Sequence, residues 1–161
     1  MPHIILILRL NLLTGVNLND KVVYLISCSK LKENYPTKAR DMYKSHLFKK
    51  SVQFVENVCF GQWRILSAKY GLVSPDLEIA PYDETLNGIG KAGISAWADG
   101  VFDQIIREDF DKVVFLSGKN YYSELRMRLI KAGIAVDVLM EGMGIGERLR
   151  FLTTELNKES L

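Results

Sequence analysis

The chain has 161 residues, 48% of them apolar and 25% charged, with a net charge of +2. That length suits one domain, buries roughly 70% of the unfolded surface, and needs no disulfide or metal to fold. The balance excludes a disordered chain and one coated in basic residues, though not a local basic site.

The N-terminus opens with "IILILRLNLL". This run is too short to span a bilayer, which takes about 20 residues. It lacks a basic leader and carries Arg9, so a signal peptide fits poorly. Residues 1–18 are read as an apolar extension, and residues 19–161 as a single α/β domain. Cys28 and Cys59 form no metal-ligand pattern, which favours a cytosolic protein with reduced thiols and no metal site.

From Lys21 onward, strand-like and helix-like segments alternate. "KVVYLIS" is a β-branched apolar run, as a strand covered on both faces requires. "SHLFKKSVQFVENV" has helical spacing, with Ser45 as N-cap. "WRILSA" is the second strand. The residues after it, in "ILSAKYGLVSPDLEIAPYDETL", look neither helical nor stranded. Irregular loops of this length are often functional. Gly88, Gly90 and Gly93 give the region the freedom of a lid. "GISAWADGVFDQIIRE" is a helix, "KVVFLSG" the third strand, and "YYSELRMRLIKAG" a helix closed by Gly133. "IAVDVLM" is the fourth strand and "GIGERLRFLTTELNK" the last helix. Trp63 and Trp97 each fall on an apolar side and read as core. The order predicts a three-layer, Rossmann-like or flavodoxin-like α/β domain. Its sheet is mostly parallel, with about four or five strands.

Open parallel sheets bind ligands beyond the carboxyl ends of their strands. Each strand exit is therefore a place to look. The first leads into Cys28, Ser29, Lys30 and Lys32, and the second into Ser67, Lys69 and Tyr70. The third leads into Ser117, Gly118 and Lys119, and the fourth into Glu141, Gly142 and Gly144. All four exits are polar or glycine-rich, and three carry lysine.

Each piece has a plainer alternative. "SCSKLK" is an anion-binding turn or a solvated loop. Cys28 is a nucleophile if a nearby cation favours its thiolate, and otherwise small packing at a strand end. His46 is an acid/base group or a surface residue at a helix start. "EGMGIGERL" lacks the dinucleotide spacing, so it is either a ligand turn or a tight turn into a helix. Glu141 at its start can orient a ribose hydroxyl or move a proton. Tyr82 and Asp83, in "PYDETL", are candidates to stack on or hydrogen-bond a ligand. The basic stretch Lys30–Lys50, with Tyr35, Tyr43 and Phe48 interleaved, is a solvated face or a phosphate-contacting surface.

The ordered series "SCSKLK", "PTKARDMYKSHLF", "ILSAKYGLVSPDLEIAPYDETL", "FLSGKNYYSEL" and "EGMGIGERLRFL" resembles a bacterial and phage family known only as a domain of unknown function. The likeness runs from Val22 to Leu152. The segment "LSAKYG" is distantly similar to the "LSGLYG"-like segment of YaaA-type peroxide-stress proteins. That resemblance implies DNA binding and protection from oxidative damage. "CSKLK" also resembles a "CSxxK" motif in domains attached to archaeal tRNA-base-modifying enzymes. By that resemblance Cys28, Ser29 and Lys32 are the matching positions, with Ser45 and His46 a looser match to the motif's serine-histidine end. There a lysine receives or transfers a modified base.

The expectation is thus an enzyme-like domain acting on a nucleotide, nucleobase or nucleic acid. Lys32, Lys69, Glu141 and Cys28 are its candidate catalytic groups. Ser29, Ser67, Tyr82, Asp83, Ser117, Gly118, Lys119, Gly142 and Gly144 are candidate ligand contacts. No motif asks for a cofactor, and no membrane partner is expected. The alternatives are a non-enzymatic nucleic-acid-binding module and a stress or phage-defence interaction protein.

Overall fold

The computed structural model describes residues 20–159. The expected extension over residues 1–18 lies outside them. Four strands run parallel: β1 (Val22–Ser27), β3 (Gln62–Ser67), β6 (Lys112–Leu116) and β7 (Ala135–Val138). A fifth strand, β4 (Gly71–Val73), joins the edge antiparallel to β3, and the order is β4-β3-β1-β6-β7. The three-layer, mostly parallel α/β expectation holds.

β1 and β6 are the centre, and their sequences say why. Val23, Leu25, Val113 and Phe115 face one layer, while Tyr24, Ile26, Val114 and Leu116 face the other. All eight are buried, as alternating faces of a doubly covered sheet require. On the first face lie α3 (Gly90–Arg107) and α4 (Lys119–Lys131). On the second lie α2 (His46–Phe54), its continuation as a π-helical turn over Val55–Cys59, and α5 (Ile145–Glu159). Trp63 is buried, and Trp97 is partly buried against the core.

The connection between β1 and α2 holds two small elements, β2 (Thr37–Lys38) and the one-turn helix α1 (Ala39–Met42). β2 pairs antiparallel with β5 (Glu78–Ile79), joining Thr37 to Ile79 and Lys38 to Glu78. The expectation of an irregular run after β3 is therefore corrected. That run contains β4 and β5, which are too short to leave a readable period in the sequence. Ala39 and Arg40 donate backbone bonds to Leu77 and Pro75, fastening the two long connections together.

One glycine has no substitute in this edge. Gly71 sits at φ +74°, and a Cβ there would come within 2.3 Å of Gln104 Oε1. That oxygen accepts the Leu72 N–H at 2.9 Å, so displacing it breaks a bond that holds β4 in place. Gly71→Ala is expected to cost about 1–3 kcal/mol of unfolding free energy. Urea denaturation checks this, and a wild-type midpoint would contradict it.

Candidate functional site

The chain leaves β1 toward β3 on one side and leaves β6 toward β7 on the other. Between β1 and β6 the two connections part, which is the switch point where open α/β sheets hold ligands. A cleft of about 900 Å³ opens there. Its floor is Ser27, Cys28 and Ser29 from the end of β1, beside Gly118, Lys119 and Asn120 from the end of β6. Ser45–Leu47 at the start of α2 and Ile145, Arg148 and Leu149 in α5 form one wall, and Asp83–Thr85 and Asn87 the other.

The first turns of α2, α4 and α5 all line this cleft. Each offers unsatisfied N–H groups and the positive end of a helix dipole. Ser45 caps α2 by accepting the Phe48 N–H at 3.2 Å, so that hydroxyl is engaged. No side chain caps α4 at Gly118. Lys30, Lys32, Lys119 and Arg148 face only Asp83 and Glu84, leaving the lining net positive.

Beside the floor lies a buried chain of hydroxyls. Ser67 Oγ accepts the backbone N–H groups of Lys69 and Tyr70 and donates to Tyr82 Oη at 2.8 Å. Tyr82 Oη shares a further hydrogen bond with Tyr43 Oη at 2.7 Å. This chain fixes the loop carrying Asp83 to the end of β3. Residues 31–33 pair back onto 42–44 through Lys32↔Tyr43, Glu33 N to Met42 O and Lys44 N to Leu31 O. The pairing sets the Lys32 ammonium 4.5 Å from the centre of the Tyr82 ring. Cys28 Sγ lies 3.2 Å from Tyr121 Oη, and Tyr121 packs edge-on against Trp97.

The structure gathers some predicted residues and separates others. Cys28, Ser29, Lys32, Asp83, Gly118 and Lys119 all line the cleft. Ser67 and Tyr82 stand behind it as support. Lys69 lies outside it, over the Tyr70 ring and 4.0 Å from Glu84. Ser117, Glu141, Gly142 and Gly144 line a neighbouring cavity of about 320 Å³, together with Gly118, Lys119 and Arg148. Glu141 there is bonded to Arg126 at 2.7 Å.

Two readings of the basic stretch change. Tyr43 and Phe48 are buried in the core and offer no face for stacking on bases, whereas Tyr35 is exposed. His46, at the start of α2, lines the cleft. Sequence reasoning missed Arg148 and Tyr121, whereas Asn120 stands at the exit of the third strand and is found in the cleft lining. Arg148 lies one turn into α5, where an arginine looks like any exposed helical residue. Only the packing of α5 against α2 brings it to the sheet edge.

These motifs coincide with a known family. The chain matches the Family of unknown function (DUF6884) over residues 23–154. It belongs to that family. The matched span includes both cavities and, apart from Val22, every strand of the described residues. No curated protein and no solved structure matches the chain. No helix of the described residues is long and apolar enough to cross a membrane.

Burial sets the ionisation of this family member's tyrosines. The Tyr43 hydroxyl is pushed up to about 12, chiefly by burial. Tyr82 and Tyr121 are raised further, by burial first and then by the nearby Cys28 sulfur. Unfolded tyrosines ionise near pH 10 while Tyr43 stays neutral to about 12. The native state therefore holds more protons in that window, and stability falls as pH rises through it. Tyr43→Phe is expected to flatten the fall in urea denaturation series at high pH; an unchanged slope would contradict the assignment.

The two cysteines differ in their surroundings. Burial pushes the Cys59 thiol up to about 12, which suppresses its thiolate. Cys28 is on the cleft floor. Iodoacetamide at mildly alkaline pH is expected to label Cys28 at least about tenfold faster than Cys59, as resolved by peptide mass spectrometry. Equal rates would contradict this placement.

Proposed function

We propose that this protein binds a nucleotide, or a nucleobase-bearing relative of one, in the cleft between β1 and β6. The observation that carries the reading is the composition of that cleft. It combines a net positive lining and three helix N-termini with hydroxyls, two asparagine amides, two carboxylates and the apolar surfaces of Leu47, Ile145, Leu149 and Tyr121. A ligand suited to it has an anionic part, several hydrogen-bonding edges and a flat apolar part. The volume falls within the range of small-ligand sites, about 300–1,000 Å³.

Within that reading, Cys28 and Lys32 are the groups placed closest to chemistry. A thiol and an amine beside a bound base can each attack carbon. Asp83 is the carboxylate placed to receive a proton or hold a ribose. The similarity of "CSKLK" to the base-modifying motif supports the same pair. The similarity to YaaA-type proteins supports a nucleic-acid setting, as does the cytosolic reading of the free cysteines.

Isothermal titration with the four common ribonucleosides and their 5′-monophosphates tests this. At least one monophosphate is expected to bind, and Lys32→Gln is expected to weaken it about tenfold, the scale of one charge-assisted hydrogen bond. Absence of binding across the panel would overturn the reading. A second reading, a polymeric nucleic acid, is favoured by exposed Lys30, Lys44, Lys49 and Tyr35. It predicts single-stranded DNA binding that weakens steeply with salt. Salt-insensitive binding of the monophosphate alone would exclude it.

A further inference from the structure

The smaller cavity beside the cleft contains two unpaired donors. Ser117 directly follows β6 and is only 6% exposed, yet among the described residues its Oγ has no hydrogen-bond partner. Arg148 Nε is also buried without a partner. Buried polar atoms in folded proteins are nearly always paired, with protein or with a bound molecule, so these two need polar partners that the described residues do not supply. Ser117, Gly118 and Lys119 form one side of this space, Gly142–Gly144 the other, and Arg148 closes it.

The backbone adds to the demand. Gly118 opens the 13-residue α4 with no side-chain cap, and Gly144 precedes the 15-residue α5. Both helix N-termini border the same cavity. Glu141 is the one carboxylate in its lining, and Arg126 already neutralises it at 2.7 Å. Lys119 and Arg148 remain as cations in the lining, and a further carboxylate, Glu147, stands in the first turn of α5 beside Gly144, outside the lining.

We infer that this cavity is a tetrahedral oxyanion site and holds a phosphate group. Ser117 Oγ, the α4 and α5 N–H groups, Lys119 and the Arg148 guanidinium are its donors. Gly118, Lys119 and Arg148 also line the larger cleft, so the two spaces meet at these residues. A phosphate here would be carried by the ligand whose base occupies the cleft. That link rests on the proposed nucleotide reading; the oxyanion site itself does not. Arg148 is the hinge of the assignment, since it contributes to both spaces.

The test is an amide-resolved NMR titration of the full chain with inorganic phosphate, against chloride at equal ionic strength. Saturable shifts are expected at Gly118, Lys119, Asn120 and Gly144. Arg148→Gln and Lys119→Gln are each expected to weaken phosphate about tenfold, and Ser117→Ala about threefold. Glu141→Gln is expected to tighten it. Lys119 is exposed, so Lys119→Gln carries the test even if Arg148→Gln fails to fold. Shifts that merely track ionic strength, or phosphate affinity unchanged in Lys119→Gln, would overturn the assignment. Adenosine and adenosine 5′-monophosphate separate the two claims. Equal affinity for both would overturn the phosphate site and leave a base site in the cleft. Saturable phosphate binding with no response to any of the four ribonucleosides or their 5′-monophosphates would uphold the oxyanion site and overturn the nucleotide reading.

Discussion

Everything at this sheet edge depends on the position of β1. It pairs parallel with β3 through Val23↔Gln62 to Ser27↔Leu66, and with β6 through Val22↔Lys112 to Ile26↔Leu116. Its two neighbours take the chain in opposite directions, so the connections cannot close over its carboxyl end. The cleft is a consequence of connectivity before any side chain is considered. Helices that follow parallel strands then start at that same edge, which explains why three N-termini meet there without any special sequence device.

What the side chains add is rigidity and charge. The Ser67–Tyr82–Tyr43 hydroxyl chain is buried and each of its oxygens takes part in a hydrogen bond, so breaking it leaves unsatisfied groups in a low-dielectric setting. It anchors a loop whose own backbone pairing is slight, a two-residue ladder between β2 and β5. On the far side of the mouth, Asn120 donates to Asn87 at 3.1 Å and joins that loop to the start of α4. The Asp83–Asn87 wall is therefore held at both ends. Lys32 is held by a different device, the fold-back of 31–33 onto 42–44. The half-buried lysine thus lies over the Tyr43 and Tyr82 rings.

The layers and the mostly parallel sheet were legible because apolar runs such as "KVVYLIS" and "KVVFL" suit strands covered on both faces; the order of the strands was not. The site was half legible. Strand-exit residues follow from topology, so Cys28, Ser29, Gly118 and Lys119 could be named from the sequence. Residues brought in by packing could not. Arg148 depends on how α5 rotates against α2, and Tyr121 on the first turn of α4. Tyr82 was visible as an aromatic in a loop, but its burial depends on a partner, Tyr43, that is 39 positions away. Lys69 shows the converse error of scale. It follows a strand directly, yet the tight turn into β4 carries it past the edge.

The central claim is that the space between β1 and β6 is a ligand site. A crystal structure of the protein soaked with the four ribonucleoside 5′-monophosphates tests it most directly. Density bounded by Cys28, Lys32, Lys119 and Arg148 is expected, with a phosphate near Ser117. Well-ordered crystals with that edge empty, or a nucleotide bound at the opposite edge of the sheet, would contradict it.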